Sequence, residues 1–168
     1  MNNLALTNSI RFIFLVLIQA LILNNINFMG YINPYIYILF ILLYPIKNNR
    51  MLFLFLSFLL GLTLDLFLDS GGVHAAASVT IAYIRPLFLK FSFGTSYAHQ
   101  TIKFSNTEFG QRFSYLALLI LIHHLILFNL EIFAISQLLL IAKKTLFSGL
   151  FTLFLCLIIQ SLFSKTTS

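Results

Sequence analysis

Acidic residues are almost missing from this chain: four Asp and Glu stand against ten Lys and Arg in 168 residues. Charge of either sign is scarce, at 8%, where a soluble domain carries roughly 25%. A chain that is 60% hydrophobic and 16% aromatic has too few polar side chains to cover a water-facing surface. It is therefore read as one membrane domain over 1–168, solvated mostly by lipid. The single cysteine, Cys156, excludes an intrachain disulfide and any CxxC or Cys/His zinc spacing. A Gly-rich phosphate loop, a Walker pattern and a serine elbow are all lacking, so no catalytic constellation is read. The net charge of +6 does not point to nucleic acid, because the basic residues are scattered between apolar runs.

What is present is a series of apolar runs. Crossing the roughly 30 Å hydrocarbon layer takes about 20 apolar residues. Six helices are expected, at about 9–27, 32–46, 51–69, 73–90, 110–131 and 144–163. The first has no small-x-small cleavage site after it and reads as a retained helix. The second is the weakest. Pro34 suits its first turn and Pro45 ends it. Tyr35 to Tyr44 would cover only about 15 Å.

The basic residues orient the bundle. With the N-terminus and C-terminus in the cytoplasm, Arg11, Lys47, Arg50, Arg85, Lys90, Lys103, Arg112 and Lys165 fall at inner ends or loops. Asp65, Asp69 and Glu131 then fall on the outer side. Lys143 and Lys144 disagree. They follow Ile132 to Ala142, a stretch too short to span, which is read as an outer interfacial or re-entrant segment. The connection from Lys90 to Gln111 alternates aromatic with polar and basic residues, as suits the inner headgroup region. Within it, Ser105-Asn106-Thr107-Glu108 has capping-box spacing and marks a start for the fifth helix.

Half of the acidic residues lie in Gly61-Leu62-Thr63-Leu64-Asp65-Leu66-Phe67-Leu68-Asp69-Ser70-Gly71-Gly72-Val73-His74. Asp65 and Asp69 are four apart and share one helix face. An ionisable group within a span is costly and turns toward the bundle interior or water. Asp65 is the sharpest candidate for a proton, ion, ligand or partner contact. The competing structural reading is a capped or internally hydrogen-bonded aspartate. For Asp69 the structural reading, a turn anchor, is stronger. Ser70-Gly71-Gly72 makes a tight reversal. Beyond it, Ala75, Ser78 and Ala82 share one face, and small residues let membrane helices approach closely. Gly61 suits the same contact, so 61–82 reads as a tightly packed helical hairpin.

Arg85 is expected to snorkel to the inner surface, with pairing inside the bundle as the alternative. His123 and His124 are adjacent, about 100° apart on a helix, and do not readily bind one metal together. One is expected to face the interior in an interhelical hydrogen bond. Glu131 lies seven residues after His124 and, with His74 and Asp69, is a candidate for a polar cluster at the outer mouth. Gln19 and Gln160 read as helix-packing contacts.

Taken in order, Gly61-Leu62 with Asp65, Ser70 to Ala77, and Ala82-Tyr83-Ile84-Arg85-Pro86 resemble the MreD family of rod shape-determining proteins. Asn24-Asn25-Ile26-Asn27, Gly30-Tyr31-Ile32-Asn33-Pro34 and Phe109-Gly110-Gln111-Arg112-Phe113 are similar to its Bacteroidetes-type members. The resemblance runs over most of the chain. It implies an all-α polytopic protein of the bacterial inner membrane, similar in architecture to the substrate-binding subunits of energy-coupling-factor transporters. It implies no enzymatic activity and no cofactor. The implied partners are an MreC-like single-span protein, a SEDS glycosyltransferase, a class B penicillin-binding protein and, indirectly, MreB filaments. The positions Gly61, Asp65, Gly72 and Arg85 become candidates for partner contact or fold maintenance. Two other readings stand beside it. One is a vitamin-transporter subunit with a pocket lined by Asp65, Asp69, His74 and Glu131. The other is a proton-linked carrier using Asp65 and the histidine pair.

Overall fold

The computed structural model describes residues 2–30, 32–46, 49–94 and 107–164. Among the described residues the chain is helical, with one isolated antiparallel bridge between Phe28 and Ile32. The helices are α1 (Asn2–Leu21), α2 (Ile38–Leu42), α3 (Arg50–Leu68), α4 (Val73–Phe93), α5 (Phe109–Ile132) and α6 (Leu138–Ser164). Short 3-10 turns at Leu23–Asn25 and Ile135–Gln137 lie between them.

Four stretches are long and apolar enough to cross a membrane: Leu6–Asn25, Arg50–Leu68, Phe109–Ile132 and Ile135–Ser161. The chain is accordingly a membrane protein. Six such helices were expected from the sequence. The two that fall short do so for different reasons. At 21 residues, α4 is about as long as a span requires. Its hydropathy is lowered by His74, Ser78 and Arg85, and these are turned inward and buried.

The second expected helix, 32–46, fails on structure. Only the five residues of α2 are α-helical. The chain around α2 is bridge, turn and irregular backbone. This segment is nevertheless the core of the molecule. Tyr37, Ile38, Ile41 and Leu42 have no exposed surface. A helix that is apolar all round is a buried one. Each of the five long helices touches the segment. Phe12 of α1 meets Phe40 edge-on at 5.4 Å, and Tyr44 stacks on Phe53 of α3 at 4.8 Å. Both α4 and α5 pack on α2, and Thr152 of α6 bonds Tyr35.

The long helices pack in sequence order, α3 on α4, α4 on α5 and α5 on α6, with α1 against α3. Ring and hydroxyl contacts give their sense. Phe93 lies 5.6 Å from Tyr115, and Ser92 meets Ser114 at 3.4 Å, so α5 begins where α4 ends. Glu131 reaches Lys144, so α6 begins where α5 ends. The bundle thus has an Asp69 end and an Arg50 end. The core segment starts beside His74 near the Asp69 end, where Tyr35 lies 5.9 Å from the imidazole. It finishes beside Phe53 near the Arg50 end.

Several boundaries move. The first helix ends at Leu21 rather than about 27, where the 3-10 turn and the Phe28–Ile32 bridge take over. Helix α4 runs through Pro86 to Phe93. Helix α6 begins at Leu138, so 138–142 belong to the same long helix as Lys143 and Lys144 and do not form a separate segment before it. The capping box falls partly on Ser105 and Asn106, which lie outside the described residues. At α5 the N-cap is Glu108, with no side-chain hydrogen bond.

Candidate functional site

The α3–α4 hairpin is built around one carboxylate. Leu68 ends α3, and Asp69 takes the left-handed conformation that closes a helix, with its N–H donating to the Asp65 carbonyl. Gly71 and Gly72 also have positive φ, at 70° and 96°, which glycine adopts without a Cβ penalty. Gly72 is then the N-cap of α4, and it has no side chain with which to cap. Asp65 supplies the missing cap from the neighbouring helix. Its Oδ1 accepts the His74 N–H at 3.0 Å, and its Oδ2 accepts the Ala75 N–H at 2.8 Å. Those are two of the orphan donors that open any helix.

The same carboxylate fixes two side chains. Ser70 Oγ donates to Oδ1 at 2.5 Å, and His74 Nδ1 donates to it at 3.0 Å. Asp65 is 5% exposed, as is His74. A buried carboxylate that accepts four hydrogen bonds is retained because its desolvation is offset. The hairpin is tight enough to need Gly61. A Cβ there would drive into the backbone of Ala75 and the carbonyl of His74. Ala75, Ala77, Ser78 and Ala82 are buried on the contact side of α4.

The second polar centre lies at the Arg50 end. Arg85 is 3% exposed, so it does not snorkel. Its Nε donates to Tyr115 Oη at 2.8 Å, and its Nη2 donates to the carbonyls of Leu42 at 3.1 Å and Tyr44 at 2.6 Å. Tyr115 Oη donates to the same Leu42 carbonyl at 3.0 Å. The Phe53 ring lies 5.2 Å from the guanidinium carbon. Leu42 and Tyr44 sit where α2 stops, so their carbonyls have no further helical turn to bond. At the other end of the segment, Gln19 Nε2 donates to the Pro34 carbonyl at 3.0 Å and Thr152 Oγ1 accepts the Tyr35 N–H at 2.9 Å. Side chains from α1, α4, α5 and α6 thereby satisfy backbone groups that the broken helix leaves open. Irregular backbone is tolerated at membrane depth only under such conditions.

The two histidines of α5 are both fully buried, rather than one, and they take different partners. His123 Nε2 and Tyr37 Oη share a 2.7 Å hydrogen bond. His124 Nδ1 donates to the Ile120 carbonyl at 2.8 Å, which leaves Nε2 to accept from Thr152 Oγ1 at 3.1 Å. His74 lies beside Tyr35 and Tyr37, each ring centroid at 5.9 Å. Buried atoms with no hydrogen-bond partner among the described residues include His74 Nε2, His123 Nδ1 and Gln19 Oε1.

Two of the residues expected at the outer mouth have other surroundings. Glu131 turns to Lys144 at 2.7 Å, and Lys144 also lies 4.9 Å from the Phe128 ring. Glu131 thus neutralises one of the two lysines that disagreed with the charge-based orientation. Asp69 is an exposed turn residue. No ion pair among the described residues joins either of them to Asp65 or His74. No group of three or more metal-binding side chains assembles among them. Sequence reasoning gave Gln19 as a packing contact without its acceptor, and missed Tyr115 and Thr152 as partners of the core segment and Tyr37 as the partner of His123. Polar or phenolic residues spaced along otherwise apolar helices were the available signal.

No protein-family model matches the sequence, and neither a curated protein nor a solved structure matches it.

Proposed function

We propose that this chain is a non-enzymatic scaffold of the bacterial inner membrane, of the MreD type, that docks other membrane proteins of the cell-elongation machinery. On this reading six passes cross the bilayer: the four apolar helices, α4, and the broken segment 32–46. An even number puts both termini on one side, at the Arg50 end, and the basic residues there favour the cytoplasm.

One observation carries the reading. The buried ionisable groups are engaged within the fold itself: Asp65 caps α4, and Arg85 holds Leu42 and Tyr44. Groups so engaged are poorly placed for turnover. The outward surface left for interaction is broad and apolar, including Phe14 at 59%, Phe55 at 56% and Phe154 at 60% exposure. Membrane helices associate through such faces by packing. A single-span MreC-like protein is the favoured occupant, with a SEDS glycosyltransferase and a class B penicillin-binding protein joined directly or through it.

A second reading, a vitamin-binding subunit of energy-coupling-factor type, draws on the unpartnered His74 Nε2, His123 Nδ1 and Gln19 Oε1. Such atoms would receive a polar ligand between Tyr35 and Tyr37.

Tagged purification from the native membrane in mild detergent separates the two, with mass spectrometry of proteins and small molecules. A single-span protein in near-equal amount is the expected result. A stoichiometric small molecule together with a coupling ATPase module would replace the scaffold reading by the second.

A further inference from the structure

We infer that the outer face of α4 near the Arg50 end is a seat for one anionic phospholipid, its phosphate held between Arg50 and Lys90. Tyr83, Leu87 and Lys90 are spaced i, i+4, i+7 and form one stripe. Tyr83 is 61% exposed, Leu87 is 67% exposed, and Lys90 is exposed in the last turn. Arg50, the first residue of α3, lies across this stripe with its guanidinium carbon 5.3 Å from the Tyr83 ring. The stacking fixes the side chain while leaving its donors toward the surroundings.

Among the described residues neither cation is in an ion pair. Among the described residues the ion pairs are Asp65–His74 and Glu131–Lys144. Asp65, Asp69 and Glu131 belong to the opposite end of the bundle, and Glu108 at the start of α5 pairs with neither Arg50 nor Lys90. Two such cations on one stripe, Arg50 over the Tyr83 ring and Lys90 beyond Leu87, complement a phosphodiester.

The depth fits a lipid rather than a free anion. From Tyr83 to Lys90 the helix rises about 10 Å, enough to run from the edge of the hydrocarbon through the polar layer of about 5–7 Å on one side of a bilayer. Toward the bilayer centre the same stripe continues as Thr80 and Ala76. Thr80 Oγ1 donates to the Ala76 carbonyl at 2.8 Å, so what it shows outward is its methyl group. A phosphate at the cationic end would lead its acyl chain onto this shallow apolar strip. The Arg50 end is the basic one, and the cytoplasmic leaflet is where anionic lipids reside.

The test uses the full chain in nanodiscs of phosphatidylcholine with one quarter phosphatidylglycerol, followed by detergent transfer and native mass spectrometry. The wild type is expected to retain one phosphatidylglycerol in preference to phosphatidylcholine. The R50Q/K90Q double variant should lose about 30-fold in retention, from two cationic contacts. R50K should keep most of it, and R11Q, a cation outside the stripe, should keep all of it. Inorganic phosphate at millimolar concentration should not displace the lipid. Equal retention of the two lipids by the wild type, undiminished retention by a monodisperse R50Q/K90Q, equal loss in R11Q, or displacement by phosphate would each overturn the inference. None of these readouts depends on which proteins the scaffold docks.

Discussion

Asp65 on one helix receives the Ala75 N–H of the next at 2.8 Å, so the first turn of α4 is capped from outside its own chain segment. The carboxylate also holds Ser70 and His74, which ties the turn, the cap and the imidazole to a single group. Asp65→Asn replaces one acceptor oxygen by a donor facing N–H groups. It should destabilise the protein by about 1–3 kcal/mol, and Asp65→Ala by about 3 kcal/mol or more. Thermal unfolding in detergent measures both. A Asp65→Ala protein as stable as the wild type would show that the cap is dispensable.

Gly61 makes a sharper prediction because its environment is backbone rather than side chain. Gly61→Ala should splay the α3–α4 hairpin and cost about 1–3 kcal/mol, although alanine is the better helix former by roughly 1 kcal/mol. Thermal unfolding in detergent should show the Ala variant below the wild type. Unchanged stability would mean that the helices separate freely.

Arg85 and Tyr115 hold the carbonyls at the end of α2 together, and they should not be equivalent. Arg85→Leu leaves the Tyr44 carbonyl without this donor and should cost about 2–5 kcal/mol. Arg85→Lys should recover only part of that, because a single ammonium does not reproduce a planar fork bonded to three groups. Tyr115→Phe leaves Arg85 on both carbonyls and should cost about 1 kcal/mol. Unfolding temperatures that place Tyr115→Phe below Arg85→Leu would reverse this order.

Much of the α3–α4 hairpin was legible because its causes are local. Two glycines after a serine, and small residues at helical spacing, lie within about twenty positions of one another. Arg85 was misread because its acceptors are not side chains. The Leu42 and Tyr44 carbonyls lie 43 and 41 residues away, and they are available only because the second helix breaks there. The sequence showed that this helix was short, but not that its open backbone would draw an arginine inward. The lysines at 143 and 144 misplaced the start of the last helix for a similar reason. Charge was weighed against lipid, when Glu131 was the partner thirteen residues before Lys144.

The proposed six-pass topology predicts a labelling pattern. Single cysteines at Asn25 and Ser136 should react with an impermeant maleimide from outside the cell, and cysteines at Asn49 and Glu108 only after permeabilisation. Cys156 is fully buried and should stay silent. Labelling of Asn49→Cys from outside would remove the 32–46 segment from the count of passes.

The broken core segment also sets an order of events during synthesis. Its apolar stretch is too short to be taken up as a spanning helix in isolation. Its open backbone groups are met by Arg85, Tyr115 and Thr152, which leave the ribosome 41, 73 and 117 positions after the residues they bond, Tyr44, Leu42 and Tyr35 respectively. The second element of the chain therefore cannot settle until the last helix is made. The bundle is completed from its newest part back to one of its oldest, and truncation before Thr152 leaves the early half without its centre.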